Sequence, residues 1–441
     1  MFETIRNAFK IKDVRNKILF TLLFVVLFRV GCYIPVPGFN GITAGEAGAT
    51  DISSIMNAIT GNALSQGTLF ALGISPYINS SIIMQLLTVA IPALERLSKQ
   101  GEEGKKKINV ITRWVTLGLA IVSAIGVVLG LGGDTALNTN ALGGLAKPFL
   151  EQNLWIMYVY VIGVLVAGSM LCMWLGERIT EHGISNGISL IIFVGILSTA
   201  GSAILTAIAG GNWWQLVMFL VAVVLIFAFI VWVDGAERKL RVQYAKQVKG
   251  NKMYGGQSTF IPVKVNASGV MPIIFASSIV TFPTMLIQTF WRNSEGWFID
   301  FWNNWMASGT VVYQVVMALL ILAFSYFYSQ IQFNPIEISK NIQQNGGFIP
   351  GIRPGRETSE YLNKVISRIT LWGAIFLAII ALVPSILFMI PSWIDPNFAT
   401  DTQLISSMST TGMLIIVSVT LELHKALENQ IMMRHYKGFL K

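Results

Sequence analysis

The chain has 441 residues, of which 54% are hydrophobic and only 12% charged, and it carries a formal net charge of +9. Soluble domains hold about 25% charged residues. A mean hydropathy of +0.63 with long uncharged apolar runs therefore excludes a soluble core and points to a polytopic membrane protein. Two cysteines, Cys32 and Cys172, and three scattered histidines, His182, His424 and His435, offer no disulfide framework and no metal-ligand spacing. The charged leader MFETIRNAFKIKDVRNK is followed by an apolar run without an A-x-A site, so no cleavable signal peptide is expected.

Ten candidate spans follow in chain order: 18–36, 69–91, 114–132, 154–175, 184–206, 213–234, 269–290, 310–331, 369–390 and 404–424. The second is unusual. It carries Gly73, Pro76, Asn79, Ser80, Ser81 and Gln85, and it is entered through residues 52–66, a weakly helical stretch too short to span. Backbone and side-chain polar groups at membrane depth need protein or water around them. The stretch 51–93 reads either as a half-helix and an interrupted span inside a bundle, beside a cavity, or as a surface loop and a kinked span packed on its neighbours.

With the N-terminus inside, all of the 31 Lys and Arg except Arg29, Lys147 and Arg292 fall on inner segments. That asymmetry predicts both termini in the cytosol and an even number of spans. Two inner loops are longer than a connection needs. Loop 235–268 alternates Leu240, Val242 and Tyr244 against Lys239, Arg241 and Gln243, then turns at GNKMYGG into STFIPVKV; this predicts a projecting hairpin. Loop 333–368 holds a short helical piece, PIEISKNIQQN, and the turn sequence IPGIRPG. Ten spans also divide into residues 1–206 and 207–441, five spans each, and an odd number per half forces the halves to be inverted relative to one another.

Chemistry-bearing motifs are missing. The chain contains no G-x-x-x-x-G-K-[ST], H-E-x-x-H, G-x-S-x-G or C-x-x-C, so neither an enzyme nor a nucleotide site is expected, and no cofactor or metal. Ionisable residues are nearly missing from the span interiors: Arg29 lies toward the outer end of the first span and can snorkel or pair, and Glu422 lies near the inner end of the last. A proton- or sodium-coupled transporter would place Asp, Glu or His at mid-membrane. The uncharged polar residues Gln85, Asn186 and Asn266 can bridge helices or line a path. Isoleucines recur in the kinked and Gly-rich spans; they are lipid or core filler, or a dewetting constriction if several helices contribute.

Several local sequences resemble the SecY family of protein-conducting channels. They are YIPVPG (33–38), FALGISPYINSSIIMQLL (70–87), GERITEHGISNGISLIIF (176–193), YAK with its basic approach (238–246), GVMPIIFASS (269–278), FNP (333–335) and GIRPG (351–355). The resemblance implies an all-α polytopic membrane protein: ten transmembrane helices in two inverted five-helix halves around a central hourglass pore, with a re-entrant plug half-helix at about 52–66. It implies passage of unfolded secretory proteins, and lateral release of apolar segments between spans two and three and spans seven and eight. Motif by motif, the pore ring falls on Ile74, Ile78, Ile188, Ile192, Ile274 and Ile415, and the gate's polar residues on Gln85 and Asn186. Motor and ribosome contacts fall on Arg238, Lys239 and Arg353.

The implied partners are small SecE- and SecG-type membrane subunits, a SecA-type motor ATPase, the ribosome, the unfolded preprotein with its signal sequence, and membrane lipid. The implied location is the bacterial cytoplasmic membrane. Two positions depart from the family pattern: Lys239 where Arg is common, which loses the planar guanidinium fork, and Ser185 where a glycine is expected. Cytosolic basic residues are also explained by orientation and by anionic headgroups. The competing reading is an inverted-repeat secondary transporter of a small solute; a membrane-embedded enzyme ranks behind it.

Overall fold

The computed structural model describes residues 6, 8–41, 57, 60–131, 154–209, 213–244, 247–249, 252–254, 258–266, 269, 271–290, 296–306, 310–394 and 410–438. Of the expected plug stretch, only Asn57 and residues from Thr60 onward belong to these; the rest lies outside the described residues.

The helices are α1 (Lys12–Gly31), α2 (Ser75–Ala90), α3 (Pro92–Ser98), α4 (Glu102–Ile125, continued by a π turn over Gly126–Leu131), α5 (Leu154–His182), α6 (Gly187–Ala209) and α7 (Trp213–Asp234). After a strand segment come α8 (Met271–Phe290), α9 (Trp297–Trp305), α10 (Val311–Gln332), α11 (Pro335–Gln344), α12 (Arg356–Ile394) and α13 (Thr410–Gly438). Among the described residues, four helical segments are long and apolar enough to cross a membrane alone, Glu102–Leu129, Leu154–His182, Val311–Gln344 and Arg356–Ile380, and α2 with α3 forms a pair bent by 104°.

Local chemistry sets several of these boundaries. Pro76 sits in the first turn of α2, where its missing N–H costs nothing. Asn334 caps α11, its side chain accepting from the Glu337 amide at 3.4 Å, with Pro335 at the first helical position. The FNP motif is thus a helix start. Helix α4 begins well before the apolar run that marks a span, because Glu102 and Glu103 in its first turn suit the positive helix end.

The strands add to a helical architecture something an all-α description leaves out. They are β1 (Glu237–Tyr244), β2 (Gln247–Lys249), β3 (Lys252–Tyr254), β4 (Ser258–Lys264) and β5 (Gly347–Phe348). Strands β1 and β4 pair antiparallel with Lys239 opposite Pro262 and Val242 opposite Thr259, and β2 pairs with β3. Strand β5 comes from the second long loop and joins the other edge of β1, Tyr244 opposite Gly347. The two loops therefore share one sheet. Leu240 and Val242 turn inward onto Val263, Ile342, Ile349, Leu362, Val365 and Ile366, so hairpin, α11 and the start of α12 enclose one apolar core. We call this unit the knob.

Helix α6 packs on α13, and α7 on both. Helix α8 lies against the π turn after α4 and against α2. The sides of α1, α7 and α10 keep large apolar residues exposed, among them Leu23, Trp232 and Leu319, as helices facing lipid do.

Candidate functional site: an isoleucine cluster between helices

The six isoleucines singled out by resemblance belong to one apolar cluster. Ile74 stands at the N-cap of α2 and Ile78 one turn further on; Ile188 and Ile192 are one turn apart at the start of α6. Residues four apart share a helix face, so each helix presents a stacked pair. Ile274 lies in the first turn of α8 and Ile415 near the start of α13. Ile74, Ile192 and Ile415 are buried, whereas Ile78, Ile188 and Ile274 are partly exposed. Phe28 and Phe70, stacked at 5.7 Å between ring centres, and Cys172, Leu175, Ile179 and Ile416 pack around them. These supporting residues were not singled out in the sequence; the GERIT run that carries Ile179 was the available signal.

Close backbone approach makes the cluster possible. A Cβ at Gly187 would lie 2.1 Å from the Gly176 carbonyl oxygen and 2.6 Å from Ile179 Cβ. Only glycine allows the start of α6 to sit this near α5.

The polar residues are engaged locally. Asn186 caps α6, accepting from the Ile188 amide at 3.1 Å. Gln85 donates to Ser81 Oγ at 3.3 Å within α2. Each amide thus bonds within its own helix region, and these contacts do not join the two. Asn266, which is buried, donates to Asp234 Oδ1 at 3.2 Å and so ties the end of α7 to the approach to α8. Arg29 reaches out of α1 to Ser198 on α6 and to the Tyr33 hydroxyl, with its guanidinium 5.4 Å from the Tyr33 ring centre. Further along, Arg113 of α4 forms a two-pronged bond with Glu177 of α5 at 2.8 and 3.1 Å. Neither pairing was read from sequence, because both partners lie on different helices.

Ser185 gains a contact that a glycine could not make. Its hydroxyl donates to Glu422 Oε1 at 3.4 Å, and nearby Gln430 donates to the Ile184 carbonyl at 3.3 Å. Together they fasten the turn before α6 to α13.

The basic residues singled out stand on the knob. Arg238 and Arg353 are exposed. Lys239 pairs with Glu237 at 3.4 Å. Arg353 is presented by a tight turn: its carbonyl accepts from Thr358 Oγ1 at 2.8 Å, and the Gly355 carbonyl accepts from Ser339 Oγ at 2.6 Å. Gly355 has φ +104°, a conformation that side chains resist, which explains the second glycine of GIRPG. Among the described residues, no group of three or more His, Cys, Asp or Glu gathers as metal ligands would.

Likenesses to known proteins bear on this arrangement. The chain is 40% identical to the protein translocase subunit SecY of Thermotoga maritima, over 100% of this chain and 98% of that one. Its fold is similar to the solved structure of a protein conducting channel, with TM-score 0.63, 19% identity, and 94% and 91% of the two chains covered. It is also similar to Sec61 in the canine ribosome–channel complex from the endoplasmic reticulum, with TM-score 0.62, 17% identity, and the same coverage of 94% and 91%. The family model described as SecY matches residues 68–424, and with relatives at that identity over the whole chain this protein belongs to the SecY family.

Proposed function

We propose that the chain is the protein-conducting channel subunit of a bacterial protein translocase, set in the cytoplasmic membrane with ten spans in two inverted halves and both termini in the cytosol. The observation that carries the reading is the single apolar cluster to which α2, α6, α8 and α13 each contribute isoleucine, with three of the six side chains partly exposed. Branched aliphatics place no fixed hydrogen-bond demand on what passes. Such a ring closes around chains of any sequence and resists ions when empty by dewetting. It selects nothing, so selection falls to the gate and to partners.

In this reading the stretch at about 52–66 is the plug. The lateral gate is the seam where α8 meets α2 and the π turn after α4, and Gln85 and Asn186 are its polar residues. The channel is passive and takes its energy from a SecA-type motor or the translating ribosome, with small SecE- and SecG-type subunits beside it. Arg238, Lys239 and Arg353 on the knob are the contacts for motor and ribosome. Support for the ribosome comes from the fold likeness to a channel solved on one. A solute transporter is disfavoured because the expected spans carry no Asp, Glu or His at mid-membrane.

The decisive experiment is a crosslink. A cysteine replaces Ile78 on a background lacking Cys32 and Cys172, and a second cysteine sits in a stalled secretory chain fused to a bulky folded domain. A disulfide that depends on a functional signal sequence is expected in membranes supplied with motor and ATP. Crosslinking only to the outer faces of the spans would make the cluster ordinary core and reopen the transporter reading. For the knob, Arg353→Glu is expected to abolish motor-driven translocation in a well-folded channel; normal translocation by that variant would remove Arg353 from the docking site.

A further inference from the structure

Helix α9 stands apart from the bundle's chemistry. Its nine residues, WFIDFWNNW, place aromatics at 297, 298, 301, 302 and 305. At 100° per residue the sequence period puts these on one side of the helix and positions 300, 303 and 304 on the other. The aromatic side is not covered by protein: Trp297 is 82% exposed, Phe298 48%, Phe301 45% and Trp305 53%. A soluble protein would bury such a face or pair it with a partner.

The C-terminal half of the helix is tied to its neighbours. The Trp302 indole N–H donates to Thr284 Oγ1 of α8 at 2.9 Å. Thr310, the cap of α10, donates its hydroxyl to the Trp305 carbonyl and accepts from the Tyr313 amide. So α9 is stapled to α8 and to α10. Beyond Trp305, α10 opens with Val311, Val315 and Leu319, an exposed aliphatic row at four-residue spacing, the pattern of a lipid-facing side.

We propose that α9 docks on the membrane, lying in the plane of the outer phospholipid interface with its aromatic side buried in it. It thereby holds the outer ends of α8 and α10 at that depth. This rests on the reading of α8 and α10 as spans, which sets α9 at the membrane boundary by chain connection. Tryptophan and its relatives partition to that boundary because their rings are apolar and their N–H groups still find partners. The aromatic side carries no charge, so the occupant is the interface of a phospholipid bilayer irrespective of headgroup charge. Since α8 forms one wall of the seam with α2, the anchor sits on the moving side of the proposed gate.

Nitroxide labels test the docking in the full chain, reconstituted with its partners into nanodiscs of phosphatidylethanolamine and phosphatidylglycerol, on a background lacking Cys32 and Cys172. Labels go at Phe301→Cys, at Asn303→Cys on the opposite side, and at Val315→Cys on α10. The expected result is that Phe301 and Val315 labels relax with oxygen rather than with a water-soluble nickel chelate. Asn303 does the reverse, and Phe301 reads a shallow depth of about 5–10 Å. Equal nickel access at Phe301 and Asn303, with Val315 still in lipid, would overturn the proposal and leave the spans intact. A Phe301 label shielded from both reagents would overturn it in favour of a protein partner or a second copy on that face. Nickel access at Val315 would instead strike at the spanning reading itself.

Discussion

The central cluster and the knob are built from the same aliphatic residues and do opposite things with them. The knob closes. Val242 is fully buried and Leu362 1% exposed, the β1–β4–β5 sheet covers one side, and Ser339 and Thr358 pin its turn through backbone carbonyls. Its members come from two loops and the helix that follows. The central cluster draws on α1, α2, α5, α6, α8 and α13, and half of its six singled-out isoleucines keep part of their surface open. An apolar core stapled by a sheet and hydrogen bonds resists parting. An apolar contact between separate helices is held by dispersion and burial, with no sheet to break when the helices part. The first arrangement suits a docking platform and the second a seal.

Cutting into each core separately sharpens that contrast. Leu362→Ala should cost about 3 kcal/mol, from lost burial and the cavity left behind. Hydrogen exchange should show the knob amides losing protection while α2 and α6 keep theirs. Loss of protection in both regions would mean that the two cores are one cooperative unit. Gly187→Ala should act in reverse. Its Cβ meets the Gly176 carbonyl at 2.1 Å, so the start of α6 must shift, at about 3 kcal/mol. Thermal unfolding in detergent should fall, with knob protection unchanged.

A smaller effect probes where the knob joins the bundle. Lys264 closes β4, and its ammonium pKa is lowered from the ordinary 10.5 by partial burial first and then by Lys425, against the pull of Asp234 and Glu237. The folded state therefore holds fewer protons than the unfolded one between the two pKa values. Stability rises with pH across that alkaline window and is lowest below it, where both states are protonated. Melting temperatures of Lys264→Gln should lose this slope; an unchanged slope would assign it to another group. The smallest effect is Ser185→Gly, which restores the family pattern. It should cost about 0.5 kcal/mol and leave the knob untouched. It should loosen the turn before α6 against α13, read as faster exchange at Leu190, whose amide bonds to the Asn186 carbonyl.

Much of the architecture was legible because helices and strands announce themselves by period and by punctuation. The alternation in KLRVQY and the turn at GNKMYGG marked β1 and β4, and Pro76 and the Asn334–Pro335 pair are local start signals. Helix α12 runs from Arg356 to Ile394, far longer than its apolar run, because hydropathy measures what faces lipid and says nothing of where a helix begins outside it. Strand β5 was illegible: two residues, Gly347 and Phe348, carry no period, and they are a strand only because β1 offers an open edge. The role first set down for Asn186 came from its motif, whereas the cap it provides is visible only with α6 in place.

By itself, the sequence determined that this is a helical membrane protein of SecY kind, because composition, charge asymmetry and contiguous motifs are properties of a line of residues. It also placed six isoleucines on the helices that bear them. Only the tertiary structure decided that these six share one cluster, that Ser185 reaches Glu422 and Arg29 reaches Ser198, and that two distant loops enclose one core. Those facts depend on which helix lies beside which. Such neighbours are chosen by close backbone approach and side-chain fit between segments far apart in the chain, which no local pattern records.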